Sequence, residues 1–309
     1  MADRMAQRMG RPGRNTQNLL TRQPMTLPSF TLLAQSIVAG IFTGALYGLL
    51  GLGLSLSWGM LRQINLAHFA LAFLGAYLTY QLASYGGVDP LLTLLMIVPV
   101  FFVLGVAMHW MLARFRATPF NSLLITFGLT IIIEAMLQWI WTADYRRLDS
   151  SYAEHKLRLG PLFLPLPELI TLGLSVGISL VIWLALRRTD LGKAMRAAAE
   201  DAPIAAAFGI NHQALALMLS GLSAALAGIA GVCIALGHTL APSQIYSWIG
   251  VVFACVMLGG LGRPMGPLIA GCIIGVSEAV TMAVTAPSWA PLVSFSLLIA
   301  VLLARPGRA

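Results

Sequence analysis

Charge is scarce in this chain: only 10% of its 309 residues are Asp, Glu, Lys or Arg, against about 25% in a soluble globular domain. With 58% hydrophobic residues and a mean hydropathy of +0.84, that scarcity excludes a water-soluble globule. Cysteine is nearly absent as well. Cys233, Cys255 and Cys272 lie inside apolar runs without CxxC spacing or a neighbouring histidine, so they predict neither a disulfide framework nor a zinc site. Lysine occurs twice, as Lys156 and Lys193, and Gly192-Lys193 is followed by Ala194, so no GxxxxGK[ST] phosphate loop exists and the chain cannot itself cradle ATP. No HExxH, GxSG or GxGD motif is present either, which removes the usual intramembrane enzyme chemistries.

What remains is apolar and long. Runs near the ~20 residues needed to cross a bilayer extend over Phe30–Leu61, Leu66–Tyr85, Leu91–Ala113, Leu123–Thr142, Leu166–Leu186, Ala214–Leu236, Ile249–Leu261, Pro267–Val284 and Ala290–Leu303. They lack the alternation of a barrel strand, and lipid requires the backbone to satisfy its own hydrogen bonds. The expected fold is therefore all-α: a polytopic transmembrane bundle of eight or nine crossings, some broken or re-entrant. Residues 1–28 read as a basic tail, 29–304 as the membrane domain, and 305–309 as a short cytoplasmic tail.

The formal charge of +8 marks topology rather than nucleic acid. Arg114 with Arg116, the group Arg187, Arg188, Lys193 and Arg196, and Arg305 with Arg308 flank apolar runs, as expected at the cytoplasmic face. The 143–165 loop then lies outside. Three crossings before Arg114 would put the tail outside too, although it holds Arg4, Arg8, Arg11, Arg14 and Arg22. A re-entrant early segment, a tail that does not set topology, and an organelle transit peptide all accommodate this. A cleaved signal peptide does not, because the apolar run is too long.

Small-residue stripes predict close helix packing: Gly40, Gly44 and Gly48; Gly173 and Gly177; Gly271 and Gly275; and Ser220, Ala224 and Gly228. Two interruptions stand out, WGMLRQINLAH (58–68) and GGLGRPMGP (259–267), each with a lone arginine, Arg62 or Arg263. Irregular backbone at membrane depth is tolerated where protein shields it or where it lines a wet cavity, so Asn65, His68, Gly260 and Gly262 are pathway candidates. Ordinary cytoplasmic hairpin turns would explain the same residues. Glu134 sits mid-run, where a carboxylate costs on the order of 3 kcal/mol; it must face the interior, water or a partner, as a proton relay or as a structural hydrogen-bonder. Glu278 and His109 pose the same question nearer run ends.

The polar segment Arg187–Asn211, RRTDLGKAMRAAAEDAPIAAAFGIN, is the one long hydrophilic helix-former between apolar runs. Asp190 is a candidate cap for a helix to about Ala199, and Asp201 for a second helix with Pro203 in its first turn. Gly209 suits the left-handed residue that ends it. Such Ala-rich helices fit a groove on another protein, or stand as a solvated loop.

This segment, with SGLSAALAGIAGVCIAL after it, resembles the cytoplasmic region of branched-chain amino acid ABC transporter permeases of the LivH type. GALYGLLGLGLSLSWGMLRQINLAHFALAFLGAY, TFGLTIIIEA and VVFACVMLGGLGRPMGPLIAGCIIGVSEA are similar to that family's first, middle and last segments, in family order. Phe69 stands where the family usually has Gly, and the basic tail is longer. The resemblance implies a translocation subunit without a cofactor of its own. Its implied partners are a second permease, two cytoplasmic ATPase subunits that use ATP, and a periplasmic solute-binding protein. It also implies that Arg188, Gly192, Arg196, Ala197, Asp201, Ala206 and Gly209 belong to the element that docks on the ATPase. A proton-coupled secondary carrier using Glu134 or His68 is the competing reading. The resemblance leaves the substrate open among branched-chain amino acids, other amino acids, aromatic acids, urea and short amides.

Overall fold

The computed structural model describes residues 29–304 apart from 116, 117 and 286. The basic tail, Arg116, Arg305 and Arg308 lie outside the described residues. The first helix, α1 (Phe30–Leu61), opens where the Ser29 hydroxyl accepts from the Leu32 amide at 3.3 Å, and closes on Arg62 in the left-handed region. Its 32 residues make a rod of about 48 Å, longer than the ~30 Å hydrocarbon layer it must cross. After it come α2 (Ala67–Ser84), α3 (Leu94–Arg114), α4 (Pro119–Trp141), the one-turn α5 (Ser151–Glu154), α6 (Leu166–Arg188), α7 (Asp190–Glu200) and α8 (Ala202–Ala207). The chain then forms α9 (His212–Gly237), α10 (Ile245–Gly259), α11 (Gly266–Val284) and α12 (Ala290–Ala304).

Seven of these are long and apolar enough to cross a membrane: α1, α3, α4, α6, α9, α11, and α10 together with the turn that leads into it. The remaining two apolar helices, α2 with His68 and Gln81 and α12 with 15 residues, are respectively more polar and shorter. Including them, nine rods among the described residues run alternately up and down, seven of them with the length and hydropathy to span, against the eight or nine crossings expected.

Contacts at the two ends fix the alternation. At one end the Gln35 side chain bonds both backbone groups of Phe163, the Trp141 indole N–H donates to Gln81, and Arg146 pairs with Leu240 through backbone bonds. At the other, Arg62 donates to the Ala199 carbonyl and Gly262 to Ser55. Arg114, Arg187, Arg188, Lys193, Arg196 and Arg263 sit at this second end, the one the sequence reading expects to be cytoplasmic, against Arg146, Arg147, Lys156 and Arg158 at the first. The start of α1 lies at the opposite end, so the structure follows the three-crossing count before Arg114. The 143–165 segment also lies there, and part of it is not loop: β1 (Lys156–Leu159) and β2 (Leu162–Pro165) form an antiparallel hairpin that the apolar-run reading missed.

Glycine decides the central packing. The Gly40/Gly44/Gly48 stripe of α1 lies against Gly275, Gly271 and Leu268 of antiparallel α11, so close that a Cβ on Gly44 would fall 2.6 Å from the Cys272 Cα. Gly228 and Gly231 of α9 meet Gly75 and Ala72 of α2, while Ser220 and Ala224 receive Gly105 of α3. In lipid, where apolar surface gains nothing by leaving the solvent, such backbone proximity is a main source of association. Gly173 and Gly177 on α6 are the exception, with nothing within 4 Å of a Cβ added there. Cys233 and Cys255 are buried packing residues with free thiols.

Candidate functional site

The polar element, residues 187–211, is an elbow followed by two short helices. The α6–α7 elbow turns at Thr189, whose hydroxyl accepts from the Gly192 amide at 3.1 Å. Thr189, not Asp190, is thus the cap; Asp190 occupies the first helical position, where its negative charge suits the dipole. There Lys193 donates to it at 2.8 Å and holds its carboxyl below the ordinary aspartate range. Gly192 is buried at the elbow, since a Cβ would lie 2.5 Å from the Leu186 carbonyl oxygen. Only glycine lets α7 fold back so tightly on α6.

Asp201 does cap α8, accepting from the Ile204 amide at 3.1 Å. The helix ends with Ile210 donating to the Ala205 carbonyl and Gly209 to that of Ala206, with Gly209 at φ +83°. This is the Schellman geometry that favours glycine. Arg188, Arg196, Ala197 and Ala206 are exposed, while Ala205 is 4% exposed and packs inward. Sequence reasoning passed over Ile204 and Phe208, which stand 57% and 84% exposed on the same element. Their signal was apolar side chains inside an otherwise polar stretch.

The inner face of α7 ties the elbow to the bundle. Met195 packs in one apolar cluster with Leu52, Leu56 and Met60 of α1, Ile182 of α6, and Leu219 and Leu226 of α9. Arg62 reaches the Ala199 carbonyl at 3.4 Å, near the negative end of α7. Through this cluster α7 packs against three membrane helices.

The two interruptions meet here. The first is shorter than the sequence suggested: α1 remains helical through Trp58 to Leu61, and residues 62–66 alone are irregular. They run back into the bundle, so that α2 begins with His68 bonded to the Leu50 carbonyl at 3.0 Å, about two to three turns inside the end of α1. The segment dips into the bundle, but α2 continues to the opposite end, so it is not the non-crossing segment that the charge of the tail suggested. Leu66 donates its amide to Thr126 of α4 at 3.2 Å, and the Asn65 side-chain oxygen is buried without a partner. The second interruption turns at Gly260 and Gly262, both with positive φ, and docks on the last turns of α1. There the Gly262 amide donates to both the carbonyl and the hydroxyl of Ser55, and a Cβ on Gly59 would lie 2.5 Å from the Gly262 Cα.

The five pathway candidates do not converge. Asn65, His68, Gly260 and Gly262 lie toward the cytoplasmic end, with His68 0% exposed and held by its bond to Leu50. Glu134 lies about 10 Å from the outer end of α4. It is half-buried, accepting from Tyr246 of α10 at 2.6 Å and from Gln138 at 3.1 Å. Tyr246 was not singled out in the sequence, because a tyrosine early in an apolar run carries no signal of its partner. Glu278 is buried between α1 and α12, accepting from the Tyr47 and Ser294 hydroxyls, and His109 is buried on α3.

Comparison with known proteins agrees with this architecture. Residues 36–302 match the family described as branched-chain amino acid transport system / permease component. The high-affinity branched-chain amino acid transport permease LivH of Salmonella typhimurium is 27% identical, over 90% of this chain and 95% of the relative. BraD of Pseudomonas aeruginosa, of the same description, is 24% identical over 91% and 96%. A probable branched-chain amino acid transport permease LivH of Methanocaldococcus jannaschii is 28% identical over 75% of each chain. No solved structure matches. A multi-pass helical bundle that aligns with transport permeases from end to end of its membrane region is a member of their family: this chain belongs to the branched-chain amino acid transport system permease components.

Proposed function

We propose that the chain is one translocation subunit of an ABC-type importer in a bacterial inner membrane, carrying branched-chain or related small amino acids or amides. It works beside a second permease subunit, two cytoplasmic ATP-binding subunits and a periplasmic solute-binding protein. The observation that carries this reading is the elbow. Arg188, Gly192, Arg196, Ala197, Asp201, Ala206 and Gly209 shape a cytoplasmic ledge whose outer side exposes Phe208 and Ile204 and whose inner side grips α1, α6 and α9 through Met195.

Closure of the ATPase subunits on nucleotide displaces α7 and α8. The displacement passes through the Met195 cluster to α1 and α9, and the glycine turns at Gly260 and Gly262 let α10 and α11 pivot. Asn65 and His68 position the re-entrant start of α2 at the inner end of the pathway. Glu134, with Tyr246 and Gln138, offers a carboxylate to the ammonium group of a zwitterionic substrate passing between this subunit and the second permease. The chain's own task is positioning and gating, and nucleotide chemistry belongs to its neighbours.

Substrate uptake by the assembled complex, measured with Gly192→Val, tests the elbow. The branched side chain cannot fit against Leu186, so ATP hydrolysis should continue while uptake falls at least about tenfold. Uptake at the parent rate would overturn the coupling role.

A further inference from the structure

At the cytoplasmic end a cavity of about 560 Å³ opens between the α6–α7 elbow, the end of α1 and the α10–α11 turn. Its charged lining is three arginines from three separate elements: Arg187 lies in the last turn of α6, Arg196 on α7, and Arg263 in the glycine turn. No carboxylate lines it. Among the described residues the one salt bridge is Lys193 with Asp190, so none of the three has an acidic partner. Three cations gathered without a counter-ion repel one another, and an anion relieves that repulsion.

The rest of the wall is apolar. Trp183 carries the Arg187 guanidinium over its ring at 5.2 Å, fixing that charge at the rim. Ile269 and Ile273 continue from the cavity up the exposed flank of the membrane helix α11. The cavity therefore joins a cationic pocket, at the level of the inner-leaflet headgroups, to an apolar track at the depth of the acyl chains. A free inorganic anion would use only half of it, and so would an acidic protein side chain.

We propose that this cavity binds the phosphodiester headgroup of an anionic inner-leaflet phospholipid, with an acyl chain laid along Trp183, Ile269 and Ile273. A zwitterionic lipid fits poorly, because no acidic residue is present to receive its amine. The bound lipid bridges the α6–α7 elbow and the α10–α11 turn. Occupancy thereby fixes the relation of two segments that are otherwise joined mainly through α1. The inference stands on the permease alone and does not depend on what docks below it.

The test uses the full chain in nanodiscs of phosphatidylcholine with or without phosphatidylglycerol, read by native mass spectrometry of retained lipid and by thermal unfolding. Phosphatidylglycerol should be retained about tenfold or more over phosphatidylcholine, and should raise the unfolding temperature. Arg187→Gln with Arg263→Gln should abolish the preference, the paired Lys variants should keep part of it, and Arg147→Gln at the opposite end should leave it intact. Equal retention of both lipids by the parent protein would overturn the proposal, whether or not the variants fold. So would equal protection by millimolar inorganic phosphate, which would indicate a bare anion site. Protection of the arginines from chemical modification only after ATPase subunits are added would instead assign the cavity to a protein partner.

Discussion

Removing Phe208 should weaken the grip of the ATPase subunits without harming the permease. The ring is 84% exposed, so its loss leaves no cavity, and truncation at such a site should change stability by no more than about 0.5 kcal/mol. Complete burial of a phenylalanine or isoleucine side chain contributes about 1.5–3 kcal/mol. Scaled by the area each has left to bury, Phe208 supplies about 2 kcal/mol on docking and Ile204, 57% exposed, about 1 kcal/mol. With about 1.4 kcal/mol per decade of affinity, Phe208→Ala should raise the Kd for the ATPase subunits about thirtyfold. Adding Ile204→Ala should bring the loss to about a hundredfold. Permease held in nanodiscs and titrated with purified ATPase subunits reads this directly, with the unfolding temperature of the permease alone as control. A Kd within twofold of the parent, at unchanged stability, would refute the assignment of this ledge as the docking surface.

Further outcomes follow from the same geometry. Gly44→Val should destabilise the bundle by about 1–3 kcal/mol through overpacking against α11, seen as a lower unfolding temperature in detergent, whereas Gly173→Val should be silent in the same assay. Glu134→Gln should cut uptake at least about tenfold while leaving ATP hydrolysis in place, and Tyr246→Phe should produce a smaller loss; full uptake by Glu134→Gln would remove the carboxylate from the pathway. At the outer end Tyr152 donates to Asp89 at 2.7 Å, and the neighbouring carboxylate raises its phenol above the ordinary tyrosine range. Its contribution to stability is present below that ordinary range and lost as pH rises through the raised value. The alkaline unfolding profile should therefore flatten in Asp89→Asn.

Much of this architecture was legible in the sequence, for identifiable reasons. Apolar run length alone located the membrane helices, and the spacing of Gly40, Gly44 and Gly48 marked a contact face because a missing Cβ has one main use in lipid. Spacing could not say which stripes meet. Gly271 and Gly275 cover the first stripe, whereas Gly173 and Gly177 meet nothing among the described residues, a difference set by tertiary arrangement. Local chemistry identified the Asp201 cap and the Gly209 terminator, yet Thr189 displaced Asp190 as the first cap because the chain turns one residue earlier. The depth of α2 was also invisible, since five irregular residues look alike outside a membrane and folded back into it. Adjacent alanines cannot be told apart in the sequence, yet Ala205 packs inward while Ala206 is exposed.

Purified protein in sealed liposomes, loaded with ATP and given radiolabelled leucine, measures whether this chain depends on energy delivered from outside it. The account predicts no accumulation by the chain alone under any imposed proton gradient, and ATP-dependent uptake once the second permease, the ATPase subunits and the binding protein are added. Concentrative uptake by the isolated chain, collapsing with the proton gradient and indifferent to ATP, would contradict it and assign the work to Glu134 or His68 as a proton carrier.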